Sequence, residues 1–257
     1  MSQLLITLTD ESKLVLLQSF LQTIDYVASV EEVKSHTVEE SPYNGSEEPV
    51  ENRLFEPKHT YSIQDLESIV AQFPASHCWT YHDLQAYFPA DLPIKVEIIK
   101  NQLFIMPSPE QLHQDIVGDL FIAFKVFVKT HQLGSVIISP FDVVLDENNV
   151  LIPDIVYVSV QRTEILDGKK VNGTPDLLVE VWSPSNKKKE RLKKHQLYAE
   201  KGVAEFWQIF PKKRYIIIET LNAAGEYELF SEAKKEGTVR SKVLEGFALN
   251  LNDIFGE

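Results

Sequence analysis

Two acidic residues interrupt hydrophobic runs that are typical of β-strands. Asp154 stands in residues 151–158 (LIPDIVYV) and Glu180 in residues 175–182 (PDLLVEVW). A carboxylate is unfavourable to bury in an apolar strand unless a partner compensates its charge, and a hard divalent cation suits two carboxylates at once. Neighbouring strands would bring both side chains to one rim of a sheet. We therefore interpret Asp154 and Glu180 as candidate metal ligands, against the alternative of strand-end carboxylates held by ordinary hydrogen bonds.

A lysine-rich helix is predicted directly after the second of these strands. Residues 186–201 contain seven bases against two acids, and the bases are Lys187, Lys188, Lys189, Arg191, Lys193, Lys194 and Lys201. Phosphodiester hydrolysis requires a metal that polarises the phosphoryl oxygen and generates hydroxide, together with a cation or acid for the developing charge. Two carboxylates and a lysine such as Lys194 supply these parts. A solvated helix face is the alternative interpretation of the lysines, and Lys193 is the competitor of Lys194.

The charge of the chain is strongly negative and unevenly distributed. The formal net charge is −13, and residues 1–75 hold 13 acidic against 4 basic residues. A generic nucleic-acid-binding protein would be basic, so only a local surface such as the lysine-rich helix is expected to face phosphates. The single cysteine, Cys78, excludes an internal disulfide and a zinc site built from cysteines, and we expect it to be a small packed residue.

Neither a transmembrane helix nor a secretion signal is predicted. No run of about eighteen apolar residues occurs, and the amino terminus carries Asp10 and Glu11 where a signal would be basic and then apolar. We therefore expect a cytoplasmic protein without a membrane partner.

The pattern of elements predicts an α/β fold with three parts along the chain. Residues 1–32 are typical of a small β-α-β unit, residues 33–59 of an acidic linker, and residues 60–257 of the main domain. Helices are predicted at 62–72, 81–87, from 110 to the residues before Gly134, and at 188–201. Strands are predicted at 94–98, 103–106, 135–139, 142–145, 154–159, 177–181, 205–209, 214–220 and 227–230. A mixed β-sheet flanked by two long helices accounts for this order.

Several motifs together resemble one known family. They are Glu97 with the two isoleucines after it, the turn 107–109 (PSP) followed by His113, the pair Pro153-Asp154, the run 175–185 (PDLLVEVWSPS), Lys194 with the run 197–207 (LYAEKGVAEFW), and the closing 244–247 (LEGF). In these motifs, which span roughly residues 79 to 255, the chain resembles the Uma2 family, also called DUF820. That family belongs to the PD-(D/E)xK nuclease superfamily and is abundant in cyanobacteria. The amino-terminal segment is extra to the resemblance.

The resemblance implies a restriction-endonuclease-like fold and a metal centre. Asp154 and Glu180 would bind Mg²⁺, or Mn²⁺ in its place. The backbone carbonyl of Val181 would be a further ligand.

The resemblance also implies roles for residues around these ligands. The usual nuclease pattern has a lysine two residues after the glutamate, but that position here is Trp182. Lys194, on the following helix, would replace it and orient the attacking water or stabilise negative charge. Glu97 would complete the acidic cluster, and His113 would contact metal-bound water or phosphate.

These inferences favour a metal-dependent endonuclease that hydrolyses DNA phosphodiester bonds through contacts with the phosphate backbone and works as a homodimer. The alternative is a catalytically idle protein of nuclease fold that acts in binding or regulation through its acidic amino-terminal segment. No helix-turn-helix or zinc finger occurs, so no base preference is predicted. Tyr198, Phe206 and Trp207 are interpreted as core or dimer-contact residues rather than as a base-stacking platform.

Overall fold

The computed structural model describes residues 63–88, 95–106, 109–183 and 188–256. Five α-helices occur in these ranges: α1 Ile63–Val70, α2 Tyr81–Tyr87, α3 Gln111–Thr130, α4 Lys188–Glu200 and α5 Leu251–Phe255. The strands are β1 Lys95–Ile99, β2 Gln102–Met106, β3 Gly134–Ile138, β4 Asp142–Asp146, β5 Asn149–Leu151, β6 Ile155–Ser159, β7 Lys170–Asn172, β8 Leu177–Val181, β9 Glu205–Phe210, β10 Tyr215–Leu221, β11 Tyr227–Lys234, β12 Thr238–Arg240 and β13 Ala248–Asn250. The predicted β-α-β unit at 1–32 and the linker at 33–59 lie outside the described residues.

The strands divide into two main sheets. The larger sheet has the order β11-β10-β9-β8-β6-β3, and its pairs are antiparallel apart from β8 with β9. The smaller sheet has the order β2-β1-β5-β4-β7, in which β4 and β7 are parallel. Strands β12 and β13 form a separate ribbon. The predicted class, an α/β fold with mixed strand directions flanked by helices, is therefore confirmed, although the strands occupy two sheets.

The centre of the larger sheet is buried on both faces, which explains the continuous hydrophobic character of β8. All five residues of β8 are buried. One face packs against the apolar stripe of α3, where the ring of Phe124 stacks on that of Phe247 with centroids 4.7 Å apart. The other face packs against α4 and the smaller sheet. A strand enclosed in this way gains from apolar side chains at every position, so a carboxylate within it must have specific partners.

The predicted hairpin that carries Glu97 forms as expected. Lys100 and Asn101, at the turn between β1 and β2, have φ values of 50° and 61°. Two positive φ values match the twist of the flanking strands, and asparagine tolerates this conformation better than most residues. By contrast, Cys78 is exposed, so the expectation that it is packed is wrong.

The described ranges contain no helix that is both long and apolar enough to cross a membrane.

The buried carboxylate of Glu205 holds the carboxy-terminal segment onto the larger sheet. Glu205, the first residue of β9, is fully buried and accepts hydrogen bonds from Trp207 Nε1 and Ser241 Oγ, both at 2.6 Å. Its other oxygen accepts from the backbone N–H groups of Lys242 at 2.6 Å and Val243 at 2.9 Å. Four donors therefore satisfy one carboxylate, and its role is structural.

Replacing Glu205 with glutamine is expected to lower the free energy of unfolding by about 3 kcal/mol, because an amide N–H₂ then faces buried donors that lose their acceptor. Urea unfolding followed by circular dichroism measures the change. Glu226→Gln, at an exposed position, is the matched control and should stay within about 0.5 kcal/mol of the wild type. Equal stability of the two variants would contradict the structural role of Glu205.

Candidate metal centre

Strand pairing brings the two predicted acidic residues to one rim of the larger sheet. Asp154 directly precedes β6, and its backbone N–H donates to the carbonyl of Val179 in β8 at 3.1 Å. The next residue, Ile155, is paired with the same Val179. Glu180 follows Val179 in β8, so the two acidic residues come from adjacent strands. Their predicted meeting at one sheet edge therefore rests on the β6–β8 pairing.

Asp154 is held by three groups. The backbone N–H of Val181 donates to Asp154 Oδ2 at 2.8 Å, and His113 Nε2 lies 3.2 Å from the same oxygen. Lys95 Nζ lies 3.6 Å from Oδ1. Burial disfavours the charged carboxylate, but the hydrogen bond and charge of His113, with Lys95 and the Val181 N–H, outweigh it and lower the pKa of Asp154. Asp154 is thus an ionised and oriented carboxylate at neutral pH.

Glu180 belongs to a buried ion cluster centred on the predicted lysine. Lys194 Nζ donates to Glu180 Oε1 at 2.9 Å and to Glu97 Oε1 at 2.8 Å. The hydroxyl of Tyr198 donates to Glu180 Oε1 at 2.6 Å, and the backbone N–H of Ile152 donates to Glu97 Oε1 at 3.0 Å. The exposed fractions of Glu97, Glu180 and Lys194 are between 1% and 4%. The ammonium of Lys194 therefore bridges two carboxylates that are removed from water.

Burial and the closeness of three carboxylates shift the pKa values of this cluster. Burial raises the pKa of Glu180 to about 7, and the charges of Asp154 and Glu97 act in the same direction against the attraction of Lys194. Burial lowers the pKa of Lys194, but the two carboxylates outweigh this effect and raise it above its ordinary value. Lys194 therefore remains a cation and cannot serve as a base, whereas Glu180 would gain from further positive charge.

The choice between Lys194 and Lys193 depends on the direction of each side chain from α4. Lys193 Nζ donates to Gln102 Oε1 at 2.6 Å and lies 5.0 Å from the centroid of the Phe104 ring, so it faces β2. Lys194 points into the acidic cluster. Trp182, which stands where the usual lysine would be, has its ring centroid 6.0 Å from Lys194 Nζ. The structure thus places the Lys194 ammonium, from the helix after β8, near Trp182, which occupies the position of the usual lysine.

Two contacts of the cluster were missed by sequence reasoning. Lys95 contacts Asp154. The sequence could have indicated this contact, because Lys95 lies two residues before Glu97 and therefore on the same face of β1. Tyr198 was interpreted as a packing residue, yet it lies four residues after Lys194, which puts both side chains on one face of α4. Its burial agrees with the packing interpretation, and its hydroxyl adds a hydrogen bond to Glu180.

Asp176 also follows a proline, but its carboxylate holds the structure together and does not belong to the metal centre. Its oxygens accept from the backbone N–H of Ser159 at 2.8 Å and from Arg162 Nη1 at 3.1 Å. These contacts lie at the opposite end of β8 from Glu180 and hold the start of the strand. Asp176 is therefore a structural carboxylate that caps the start of β8.

The donors at the rim suit a hydrated hard cation better than a closed protein site. Within the described residues no group of three or more His, Cys, Asp or Glu side chains is arranged to hold a metal, and Lys194 bonds both Glu97 and Glu180. Mg²⁺ is usually bound by one or two carboxylates and keeps several waters, so Asp154 and Glu180 with a backbone carbonyl fit it. Glu97 Oε2 and His113 Nδ1 are also buried without a partner among these residues, which leaves polar groups for water or an ion.

A family model described as "putative restriction endonuclease", Uma2, matches residues 80–252. The chain belongs to the Uma2 family. The match contains the hairpin with Glu97, both acidic strands and helix α4, and thus every residue of the rim described above. A search of the curated proteins found no match to this chain.

The Uma2 assignment agrees with a solved structure. A protein from Anabaena variabilis ATCC 29413, described as a putative nuclease belonging to DUF820, superposes with a TM-score of 0.53 at 18% sequence identity. The alignment covers 62% of this chain and 89% of the Anabaena chain. This likeness shows a shared fold, and the family description supports a nuclease function.

The large aromatic residues near the Uma2 motifs belong to the core. Tyr198, Phe206 and Trp207 are fully buried, and the rings of Tyr198 and Phe206 contact each other edge to face with centroids 5.1 Å apart. Their interpretation as packing residues is confirmed, because bases cannot reach a buried ring.

Proposed function

We propose that this protein is a Mg²⁺-dependent endonuclease that hydrolyses phosphodiester bonds of DNA, with Mn²⁺ able to replace Mg²⁺. Asp154 and Glu180, with the carbonyl of Val181, would hold the metal. The observation that carries the proposal is the pair of buried carboxylates on adjacent strands, next to a lysine whose charge is already shared with a third carboxylate. A divalent cation beside Glu180 would favour its ionised form, and the cation would in turn bind the phosphate of a substrate.

When bound, the metal would polarise a phosphoryl oxygen and lower the pKa of a coordinated water. Asp154 serves this arrangement because the Val181 N–H, His113 and Lys95 fix its orientation and keep it ionised. Preorganised charges of this kind stabilise a transition state without reorganising when the reaction occurs.

Lys194 supplies positive charge rather than proton transfer. An ammonium has three N–H donors, and Glu97 and Glu180 take two of them. No third acceptor of Lys194 Nζ occurs among the residues that the structure describes, so the third N–H would donate to the attacking water or to a phosphate oxygen. Since the pKa of Lys194 is raised, its charge persists at neutral pH, and the leaving oxygen receives its proton from solvent.

A plasmid assay tests this function. Supercoiled plasmid incubated with the purified full chain is expected to be nicked or linearised with Mg²⁺ or Mn²⁺, and to remain supercoiled with EDTA. Agarose gels measure the rate. Cleavage that persists in EDTA would contradict the metal dependence. A folded protein that leaves plasmid intact with either metal would contradict the nuclease function and favour the binding or regulatory alternative. The homodimer stays a prediction, for which sedimentation of the same sample is the measurement.

A further inference from the structure

A second cluster of positive charge lies at the same edge of the larger sheet as the metal centre. The turn after β9 carries Lys212, Lys213 and Arg214, and the end of β11 carries Lys234 and Lys235. We call Lys212, Lys213, Lys234 and Lys235 the basic edge. All four are exposed, and together with Arg214, Asn252 and Glu236 three of them line a shallow groove of about 650 Å³.

Strand direction places the basic edge beside the candidate centre. Strands β8 and β9 are parallel, with Val181 paired with Ile209, and the backbone N–H of Trp182 donates to the carbonyl of Ile209 at 2.8 Å. Both strands therefore end on the same side of the sheet. Strand β10 pairs with β9 so that Tyr215 lies opposite Phe210, and Tyr215 also lies opposite Lys234 of β11.

A shared aromatic ring connects the basic edge to the helix that carries Lys194. The guanidinium of Arg191, on α4, and Lys213 Nζ each lie 5.7 Å from the centroid of the Phe210 ring. Arg191 and Lys213 are thus separated by at most twice this distance of 5.7 Å. Positive charge consequently extends from α4 across Phe210 to the turn.

The lysines of the basic edge are available for a ligand, whereas the neighbouring arginine is not. Arg214 donates to the side chain of Asn252 at 3.2 Å and to backbone carbonyls of the carboxy-terminal segment, so it holds that segment in place. Within the part of the chain that the structure describes, no ion pair involves Lys212, Lys213 or Lys235. Glu236 is the acidic residue that lines the groove, and it leaves the local charge positive.

We infer that the basic edge binds the phosphate backbone of duplex DNA beside the bond that the metal centre cleaves. The inference rests on the proposed function. Charge complementarity supports it, since four exposed lysines cluster next to the site in a chain whose net charge is −13. Sheet strands are about 4.8 Å apart, so the turn between β9 and β10 lies about 5 to 10 Å from β8 across the sheet. Phosphates of one strand follow each other every 3.4 Å or so along the helix axis, so the contact would fall within several nucleotides of the scissile bond.

Charge reversal in a chain that cannot cleave separates binding from catalysis. We choose the Asp154→Asn background and measure fluorescence anisotropy with a labelled 30-bp DNA duplex at several salt concentrations. Lys213→Glu with Lys235→Glu is expected to raise Kd at least about tenfold and to reduce the slope of log Kd against log salt by about 2. Lys169→Glu, an exposed lysine beside β7 of the other sheet, should change Kd less than twofold.

Each outcome decides the inference independently of the nuclease function. Unchanged Kd and salt slope in the double variant would overturn the basic edge even if the wild type nicks plasmid. Loss of duplex binding in the double variant would support it even if the wild type proves to be catalytically idle. Tighter, lysine-dependent binding of single-stranded RNA than of the duplex would overturn the choice of DNA as the ligand.

Discussion

Replacing Asp154 with asparagine is expected to reduce Mg²⁺-dependent plasmid cleavage at least about 100-fold, and Glu180→Gln is expected to do the same. Changes in the groups that merely orient metal ligands already cause losses of about 10- to 100-fold, so loss of a ligand charge should do no less. The carbonyl of the introduced side-chain amide would still accept the Val181 N–H, which now bonds Asp154 Oδ2 at 2.8 Å, and the rim should keep its fold. Initial nicking rates on agarose gels, measured across Mg²⁺ concentrations, give the effect.

Asp176→Asn is the matched control for this experiment. Asp176 also follows a proline and holds backbone and side-chain donors, but its contacts with Ser159 and Arg162 lie at the far end of β8. Cleavage by Asp176→Asn should stay within a few-fold of the wild type. Equal cleavage by the wild type and by both rim variants would remove Asp154 and Glu180 from the metal centre.

Replacing Lys194 with methionine is expected to lower the free energy of unfolding by about 3–5 kcal/mol and to reduce cleavage at least about 100-fold. The loss of stability follows because Glu97 and Glu180 would remain buried without the ammonium that both now share at 2.8 and 2.9 Å. The loss of activity follows because a fixed positive charge next to the reacting phosphate is removed. Urea unfolding in EDTA measures the first effect, and nicking at a temperature where the variant stays folded measures the second.

Two further variants distinguish the charge of Lys194 from its packing. Lys193→Met removes the adjacent lysine, which faces Gln102 and Phe104, and should change stability by less than about 1 kcal/mol. Adding Glu180→Gln to Lys194→Met removes one of the two uncompensated carboxylates and should recover part of the lost stability, though not the activity. If the double variant is no more stable than Lys194→Met, packing rather than charge explains the role of the lysine.

Local patterns in the sequence were sufficient for most elements of the main domain. The continuous apolar character of β8 predicted it at 177–181, and the threonine-capped helix α2 was predicted at 81–87, as observed. Strands β5 and β7 were not predicted, because each has three residues and no periodicity of its own. They exist through pairing with β4, and β5 also pairs with β1, which moves the hairpin that carries Glu97 into a second sheet.

The amino-acid sequence was enough to mark Asp154 and Glu180 as unusual, since a carboxylate in a hydrophobic strand needs a partner wherever it folds. Its motifs, which include Lys194, also identified the family. The partners of those carboxylates depend on how distant segments pack together. Helix α4 carries charged residues on all sides, so its periodicity could not indicate which lysine is buried. The packing of α4 against both sheets turned Lys194 and Tyr198 toward Glu180, and pairing across distant parts of the chain added Lys95 and the Val181 N–H to Asp154.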